Sequence, residues 1–216
     1  MKLAVFDCDG TLIDGQASIC EAMERAFASQ AVSPPDRATI RRAVGLSLPQ
    51  AMRKLMPDGG DDLHHALVEG YKHAFRSART AGRLSQPLFD GMADTLHALT
   101  AAGWTLGVAT GMSDRGLAHC LADNGIADLF VTLQTADRHP SKPHPAMLEA
   151  ALFQAGARSE DAVMIGDTGY DMQMARDAGV RGIGVDWGYH LPDELIAAGA
   201  ETVAHSPAQL TQLLLA

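Results

Sequence analysis

Short apolar runs recur along the chain, and most are followed by a segment with helical spacing. The runs are LAVF at 3–6, TLGVAT at 105–110, LFVTL at 129–133, AVMIGD at 162–167, RGIGVD at 181–186 and TVAHS at 202–206. The first run is apolar at every position, which is typical of a parallel strand covered by helices on both faces. Strands that alternate with helices predict a doubly wound, Rossmann-like α/β core with a parallel sheet.

The segment from about residue 16 to residue 83 has a different pattern. Its apolar residues follow helical spacing, with a break at Pro34-Pro35, and almost no strand signal is present. We interpret it as four or five helices. Because the first strand belongs with the strands after Pro87, the helices are an insertion. The predicted organisation is a discontinuous core, residues 1–14 and 85–216, interrupted by a helical cap domain, residues 15–84.

Composition and charge narrow the functional classes. The net charge of −9 gives no basic footprint for nucleic acid. The sequence has no run of about 18 apolar residues, so it predicts no membrane span. Asp7 and Asp9 come too early in the chain for a signal peptide, which needs a basic and then a long apolar region. Three cysteines without metal or redox spacing suggest a cytoplasmic protein. We expect a monomer or homodimer that binds a small molecule. Residues 15–84 carry ten lysines and arginines against seven acids, so the insertion is mildly basic.

Polar and charged residues follow several predicted strands. In open α/β sheets, ligands bind beyond the carboxyl ends of the strands. The residues there are Asp7 and Asp9 after the first strand, Thr110 and Gly111 at the second, Lys142 in the loop after the third, and Asp167 and Asp171 after the fourth. Oxygen ligands suit Mg²⁺, and a carboxylate can attack phosphorus to form an aspartyl-phosphate.

A reaction of this kind must bring two anions together. At about 3.5 Å and an effective dielectric constant near 20, each pair of unit charges costs roughly 5 kcal/mol. A metal ion, a lysine ammonium and hydrogen-bond donors at a turn can offset a penalty of this size. The sequence offers carboxylates for the metal, Lys142 for the ammonium, and a turn after Thr110.

Four segments of the chain resemble the motifs of a known superfamily. DCDGTLID at 7–14, Thr110-Gly111, Lys142-Pro143 and GDTGYDM at 166–172 stand in the order of the four motifs of the haloacid dehalogenase superfamily. The resemblance covers nearly the whole chain. The helical insertion directly after the first motif is similar to that of the phosphoglycolate phosphatase-like branch.

The resemblance implies a role for each motif residue. Asp7 would be the nucleophile and a metal ligand, and Asp9 the general acid and base with its backbone carbonyl on the metal. Thr110 and Gly111 would bind the phosphoryl group, and Lys142 would pair with Asp7 and the phosphate. Asp167 would hold Mg²⁺. Asp171 would be a water-mediated partner of the ion, or alternatively a charge at a helix N-terminus.

Asp9 favours phosphate monoester hydrolysis over the superfamily's other reactions. A phosphate ester releases an alkoxide, which needs a proton, and the aspartyl-phosphate must then be attacked by water, which needs a base. One carboxyl group two residues from the nucleophile can serve both steps in turn. Branches that cleave carbon–halogen or carbon–phosphorus bonds look different at this position.

Details of the inserted helices bear on the substrate. The resemblance places Gly45 where the family's cap loop meets substrate, with Arg42 nearby; the alternative is a loop that connects helices and carries surface charge. Two positions depart from the pattern: Gly15, where related phosphatases often carry Ser, and Gly111, where a larger polar residue is common.

Three other functions are compatible with parts of this pattern. A phosphoglucomutase-type phosphotransferase uses the same motifs but passes the phosphoryl group to a second sugar hydroxyl. A pyrophosphatase would share the site. A phospho-receiver domain also uses Asp, Thr and Lys around Mg²⁺, but it is about 120 residues long and has no helical insertion. The sequence therefore predicts a Mg²⁺-dependent phosphatase of a small phosphorylated metabolite.

Overall fold

A single six-stranded parallel sheet forms the centre of the molecule. The computed structural model describes all 216 residues. The strands are β1 Leu3–Phe6, β2 Thr105–Thr110, β3 Phe130–Thr135, β4 Ala162–Gly166, β5 Arg181–Val185 and β6 Thr202–Ala204. Their spatial order is β3-β2-β1-β4-β5-β6, and every pairing is parallel. The first strand is therefore central, between β2 and β4.

Six helices pack on the sheet. They are α5 Met92–Ala101, α6 Asp114–Asp123, α7 Ala146–Ala155, α8 Gly169–Asp177, α9 Pro192–Ala198 and α10 Pro207–Leu215. Alternate residues of β1 enter two different apolar clusters: Ala4 and Phe6 pack on the side of α5, α6 and α10, whereas Leu3 and Val5 pack on the side of α7 and α8. All four side chains are fully buried. The predicted doubly wound α/β fold is confirmed.

Four helices lie between β1 and α5 in the sequence. They are α1 Gln16–Ser29, α2 Arg37–Arg41, α3 Leu48–Leu55 and α4 Asp61–Thr80. We call residues 16–80 the helical lobe. It contains an apolar cluster of its own, in which Phe27, Ile40, Met52 and Leu67 are fully buried. The segment predicted from the sequence as a separate helical domain, residues 15–84, contains these four helices.

The helical lobe is seated on the carboxyl end of the sheet. Arg42 forms an ion pair with Glu194 of α9, and the Tyr170 hydroxyl of α8 donates a hydrogen bond to the Arg42 carbonyl at 3.0 Å. The Ser47 amide donates to Ser141 Oγ at 2.8 Å, next to Lys142. These contacts hold the lobe over the strand ends. Every helix of the protein is either too short or too polar to cross a bilayer.

Candidate active site

The sheet order brings three motif residues to neighbouring strand ends. Asp7 directly follows β1, Thr110 ends β2, and Asp167 follows β4. Because β2, β1 and β4 are adjacent and parallel, their carboxyl ends lie side by side at one edge. All three side chains are almost completely buried. The arrangement is the one that the strand pattern predicts for a ligand site in an open α/β sheet.

Lys142 is a buried cation between two carboxylates. Its Nζ lies 2.9 Å from Asp7 Oδ1 and 2.6 Å from Asp171 Oδ1, and none of the three side chains is more than 1% exposed. Burial acts to lower the pKa of Lys142, but the charges of Asp171 and Asp7 outweigh it and hold that pKa above its ordinary value. The ammonium therefore stays charged and fixes the orientation of both carboxylates.

Asp167 is held by two hydrogen bonds. Its Oδ1 accepts from the Thr11 hydroxyl at 2.7 Å, and its Oδ2 accepts from the Tyr189 amide at 2.9 Å. Burial, together with the charges of Asp7 and Asp171, raises the pKa of Asp167 well above its ordinary range. A buried carboxylate in this position is costly unless a cation is bound beside it.

Asp171 lies in the first turn of α8. Its Oδ2 accepts from the Thr168 amide at 3.1 Å and from the Thr168 hydroxyl at 2.7 Å, so the carboxylate binds the residue that precedes the first turn of the helix. Its Oδ1 binds Lys142. Asp171 therefore contacts the residue that begins a helix and also belongs to the charged cluster around Lys142. Its water-mediated contact with a metal ion stays a prediction.

Asp7, Asp167 and Asp171 together offer oxygens to a metal ion. One carboxylate oxygen from each lies within 4.8 Å of the others, and Asp7 Oδ2 is buried without a hydrogen-bond partner. Three carboxylates and one ammonium carry a net negative charge, and every atom that could bind a metal ion here is an oxygen. This chemistry fits Mg²⁺. The side chain of Asp9, whose expected contribution to the ion is its backbone carbonyl, is outside the carboxylate cluster.

Asp9 is a half-buried acid beside the nucleophile candidate. Burial, with the added repulsion of Asp7, raises the pKa of Asp9 to about 7. Burial also raises the pKa of Asp7, to about 6, against the opposing effect of Lys142. Asp9 Oδ1 has no hydrogen-bond partner, and neither has the buried amide nitrogen of Gln86. A methyl group on Gly15 would lie 2.8 Å from Asp9 Oδ1 and 3.4 Å from Gln86 Nε2. Glycine at position 15 therefore leaves room for Asp9.

Gly10 allows the loop to approach Asp167. Its φ of +86° lies in the left-handed region. A methyl group there would collide with the Tyr189 ring and with Asp167 Oδ2. Only glycine fits this turn without strain.

Thr110 places its hydroxyl at the same edge of the sheet as Asp7 and Asp167. The Met112 amide donates to Thr110 Oγ1 at 3.3 Å, so the hydroxyl proton stays free to donate to a ligand. Gly111, the next residue, touches the helical lobe: a methyl group on it would lie 2.7 Å from the Gly45 carbonyl and closer still to that of Leu46. Glycine at position 111, where relatives commonly carry a larger polar residue, thus allows the lobe and the core to lie in close contact.

A cavity of about 490 Å³ separates the helical lobe from the core. Asp7, Asp9, Thr110 and Gly111 line its floor, and Gly45 lines the wall contributed by the lobe. Arg42, which the sequence places near substrate, does not line this cavity, because its guanidinium pairs with Glu194 on the surface. Lys142, Asp167 and Asp171 do not line it, although Lys142 contacts Asp7, which does.

Sequence reasoning missed several residues around the site. Thr11 and Tyr189 hold Asp167, Thr168 holds Asp171, and Gln86 lies beside Asp9. Thr11 and Thr168 are inside the quoted motifs and could have been found as hydroxyl donors to the neighbouring acids. Gln86 and Tyr189 carry no local signal, because each reaches the site from a distant part of the chain.

Comparison with known proteins identifies relatives over nearly the whole chain. The model of the family described as haloacid dehalogenase-like hydrolase matches residues 4–185. A protein named "Probable phosphatase IndB", from Dickeya dadantii, is 34% identical over 204 residues, or 93% of this chain and 88% of that protein. A phosphoglycolate phosphatase from Vibrio vulnificus is 28% identical over 223 residues, or 100% of this chain and 96% of that protein.

A solved structure has the same fold. The crystal structure of a hydrolase from Pseudomonas syringae matches with a TM-score of 0.87 at 24% identity, and the match covers 99% of this chain and 98% of that one. The match therefore includes the helical lobe as well as the sheet.

Proposed function

This chain belongs to the haloacid dehalogenase-like hydrolase family, and on that premise we propose that it hydrolyses a small phosphate monoester through an aspartyl-phosphate on Asp7, with Mg²⁺ as cofactor. The superfamily and the enzyme class predicted from the sequence, a phosphatase, are confirmed. One observation carries the mechanism. Asp7 Oδ1 accepts from the Cys8 amide at 2.7 Å and pairs with Lys142, whereas Asp7 Oδ2 has no partner, and Asp7 lines the cavity.

In the first half-reaction, an oxygen of Asp7 attacks phosphorus. The bond between phosphorus and the ester oxygen breaks, and Asp9 gives its proton to the departing oxygen. The products of this step are a free alcohol and a phosphorylated Asp7. Asp9 can perform this transfer because it lines the cavity floor, two residues from the nucleophile.

In the second half-reaction, water attacks the same phosphorus. Asp9, now ionised, takes a proton from the water, and the bond between phosphorus and Asp7 breaks. Inorganic phosphate leaves, and both carboxyl groups return to their starting states. The same carboxyl group thus serves as acid and then as base.

Other residues bind the phosphoryl oxygens. The Thr110 hydroxyl has a free proton to donate, and the Lys142 ammonium supplies a fixed positive charge beside Asp7. Asp7 and Asp167, with the Asp9 carbonyl, would hold Mg²⁺, and Asp171 would support it. The ion, when bound, neutralises part of the charge on the phosphoryl group and the carboxylates.

The relatives and the cavity support a small organic phosphate as substrate. Several relatives are phosphoglycolate phosphatases, which supports phosphorylated acids as candidates. The cavity of about 490 Å³ also has room for a molecule larger than a two-carbon acid. Sugar phosphates and pyrophosphate are included in the test for this reason.

Release of inorganic phosphate across a metabolite panel with Mg²⁺ tests the proposal. We expect turnover by the wild-type protein, and a loss of about 10³-fold or more in the Asp7→Asn and Asp9→Asn variants, since each removes a group that acts on the reacting atoms. Asp14→Asn is the matched control, because Asp14 is an exposed acid of the same segment. Wild-type turnover in Asp7→Asn would disprove the mechanism. Phosphate transfer that needs a sugar bisphosphate would instead identify a mutase.

A further inference from the structure

Two linkers connect the helical lobe to the core, and they run side by side near Asp9. The first leads into the lobe at residues 14–15, and the second returns to the core through residues 81–91. The Asp14 amide donates a hydrogen bond to the Pro87 carbonyl at 2.8 Å. The returning linker is therefore paired with the segment that carries the catalytic acids.

The backbone of the returning linker is fixed on both sides of Gln86. Asn124, which follows the last residue of α6, donates from Nδ2 to the Gln86 carbonyl at 3.0 Å, and its Oδ1 accepts from the Leu88 amide at 3.2 Å. On the side of the lobe, the Ser18 hydroxyl donates to the Ser85 carbonyl at 3.0 Å. These contacts tie the linker to the core and to the lobe, so they fix the point from which the Gln86 side chain projects.

The Gln86 side chain ends beside Asp9. A methyl group on Gly15 would lie 3.4 Å from Gln86 Nε2 and 2.8 Å from Asp9 Oδ1, so both atoms border the same point. Both are buried, and neither has a hydrogen-bond partner within the protein. One is a donor and the other an acceptor, and buried groups of this kind are nearly always paired. Burial and the charge of Asp7 raise the pKa of Asp9, and the Gln86 amide opposes that rise, as a donor directed at a carboxylate does.

The two carboxylate oxygens of Asp9 have different surroundings. Oδ1 is buried on the side of Gln86, whereas Oδ2 is not buried, and Asp9 lines the cavity. A proton that Asp9 gives to a group in the cavity therefore belongs on Oδ2. Gln86 does not line the cavity, so it can act on the reaction only through Asp9.

We infer that Gln86 is a positioning residue for Asp9: its Nε2 donates a hydrogen bond to Asp9 Oδ1 when substrate is bound, which directs Oδ2 towards the ester oxygen. This inference rests on the phosphatase activity proposed above. With Oδ1 occupied as an acceptor, the carboxyl proton is held on Oδ2, and it passes to the ester oxygen as the bond between phosphorus and that oxygen breaks. In the second half-reaction the same hydrogen bond orients the ionised carboxylate, and Oδ2 takes the proton from the attacking water.

Two substrates that differ in their need for a proton test this role. The nitrophenolate that leaves 4-nitrophenyl phosphate is a weak base, whereas the alkoxide that leaves benzyl phosphate is a strong base and needs the proton from Asp9. The ratio kcat/KM reports the steps up to release of the alcohol, so it isolates the first half-reaction. If the wild type does not hydrolyse benzyl phosphate, the alkyl phosphate it hydrolyses best in the metabolite panel replaces it, since its leaving group is also an alkoxide.

Gln86→Met keeps the length of the side chain and removes the donor. We expect kcat/KM to fall by roughly 10–100-fold for benzyl phosphate and by less than about threefold for 4-nitrophenyl phosphate, because only the first needs a well-placed acid. Gln86→Glu, which also lacks the amide donor and repels Asp9, should be impaired at least as strongly with benzyl phosphate. Gln173→Met is the matched control, because Gln173 is a half-buried glutamine of α8 that does not line the cavity. It should leave kcat/KM unchanged for both substrates.

A double-mutant cycle shows whether Gln86 acts through Asp9. In Asp9→Asn the proton donor is already lost, so adding Gln86→Met should lower kcat/KM for benzyl phosphate by less than about twofold more. A general disturbance of the fold by Gln86→Met would instead multiply the loss in Asp9→Asn.

The outcomes distinguish this inference from the proposed function. If Gln86→Met affects both substrates equally, or affects neither, Gln86 does not position Asp9, although the enzyme is a phosphatase. The same conclusion follows if Gln86→Glu keeps wild-type activity, or if the full effect of Gln86→Met persists in the Asp9→Asn background. If the wild-type protein hydrolyses no phosphate ester in the presence of Mg²⁺, the proposed function itself fails.

Discussion

Gly111 of the core lies directly against the backbone of Leu46 in the helical lobe. A side chain at position 111 would collide with the Leu46 carbonyl and would lie 2.7 Å from the Gly45 carbonyl. Neither obstacle is the flexible end of a side chain, so the lobe as a whole would have to move. The short contact therefore sets how closely the lobe covers Asp7 and Asp9.

Replacing Gly111 by serine should separate the lobe from the core. We expect kcat/KM to fall by about 10–100-fold, because closure excludes water and positions the substrate. Small-angle scattering should show a larger radius of gyration in the variant. Gly60→Ala is the control, since a methyl group on Gly60 meets no atom within 4 Å. A variant with unchanged activity and dimensions would show that the contact does not control closure.

The central part of the site could be predicted from the sequence because it depends on local pattern. Each of Asp7, Thr110 and Asp167 follows or ends an apolar run, and a parallel sheet necessarily gathers the carboxyl ends of adjacent strands. The uniformly apolar first run also predicted that β1 is a parallel strand covered by helices on both faces, although it did not predict its central position. Motif order then supplied the role of Lys142, whose position between Asp7 and Asp171 the structure shows directly.

The remaining features depend on contacts that no local pattern encodes. Gln86 and Asp9 are 77 positions apart, and they are brought beside Gly15 where the chain returns from the lobe. Arg42 pairs with Glu194, 152 positions further on. Such positions follow from tertiary packing, so they needed the structure.

Thr110→Val should impair phosphate binding without disturbing the fold. Valine keeps the branched shape of the buried threonine but removes the hydroxyl proton that is free to donate. We expect kcat/KM to fall by about 10²-fold, as for the loss of one donor to a developing anion. Thr110→Ser restores the hydroxyl and should recover most of the activity. If valine and serine variants behave alike, the hydroxyl has no part in catalysis.

Asp9→Asn should stabilise the metal-free protein at high pH. Burial and the charge of Asp7 raise the pKa of Asp9 to about 7 in the folded state, whereas an unfolded aspartate titrates near pH ~4. Between these values the folded state binds more protons than the unfolded state, so the contribution of Asp9 to stability falls as pH rises. Asparagine has no charge to bury at any pH.

Urea unfolding in the presence of a chelator measures this effect. The free energy of unfolding of Asp9→Asn, minus that of the wild type, should be small at about pH 5 and should grow more positive towards about pH 8. Asp14→Asn, an exposed acid in the same segment, is the control. A difference that stays constant across this range would mean that Asp9 does not bury its charge.

Mg²⁺ should stabilise the wild-type protein through the cluster of Asp7, Asp167 and Asp171. At a free concentration about 100-fold above Kd, binding to the folded state contributes about 2.7 kcal/mol, which corresponds to a rise in Tm of about 5–10 °C for a chain of this size. Asp167→Asn removes one carboxylate charge but retains an oxygen that can accept from Thr11. The variant should lose most of the Mg²⁺-dependent rise in Tm, while Asp14→Asn should keep it. An equal rise in wild type and Asp167→Asn would place the ion elsewhere.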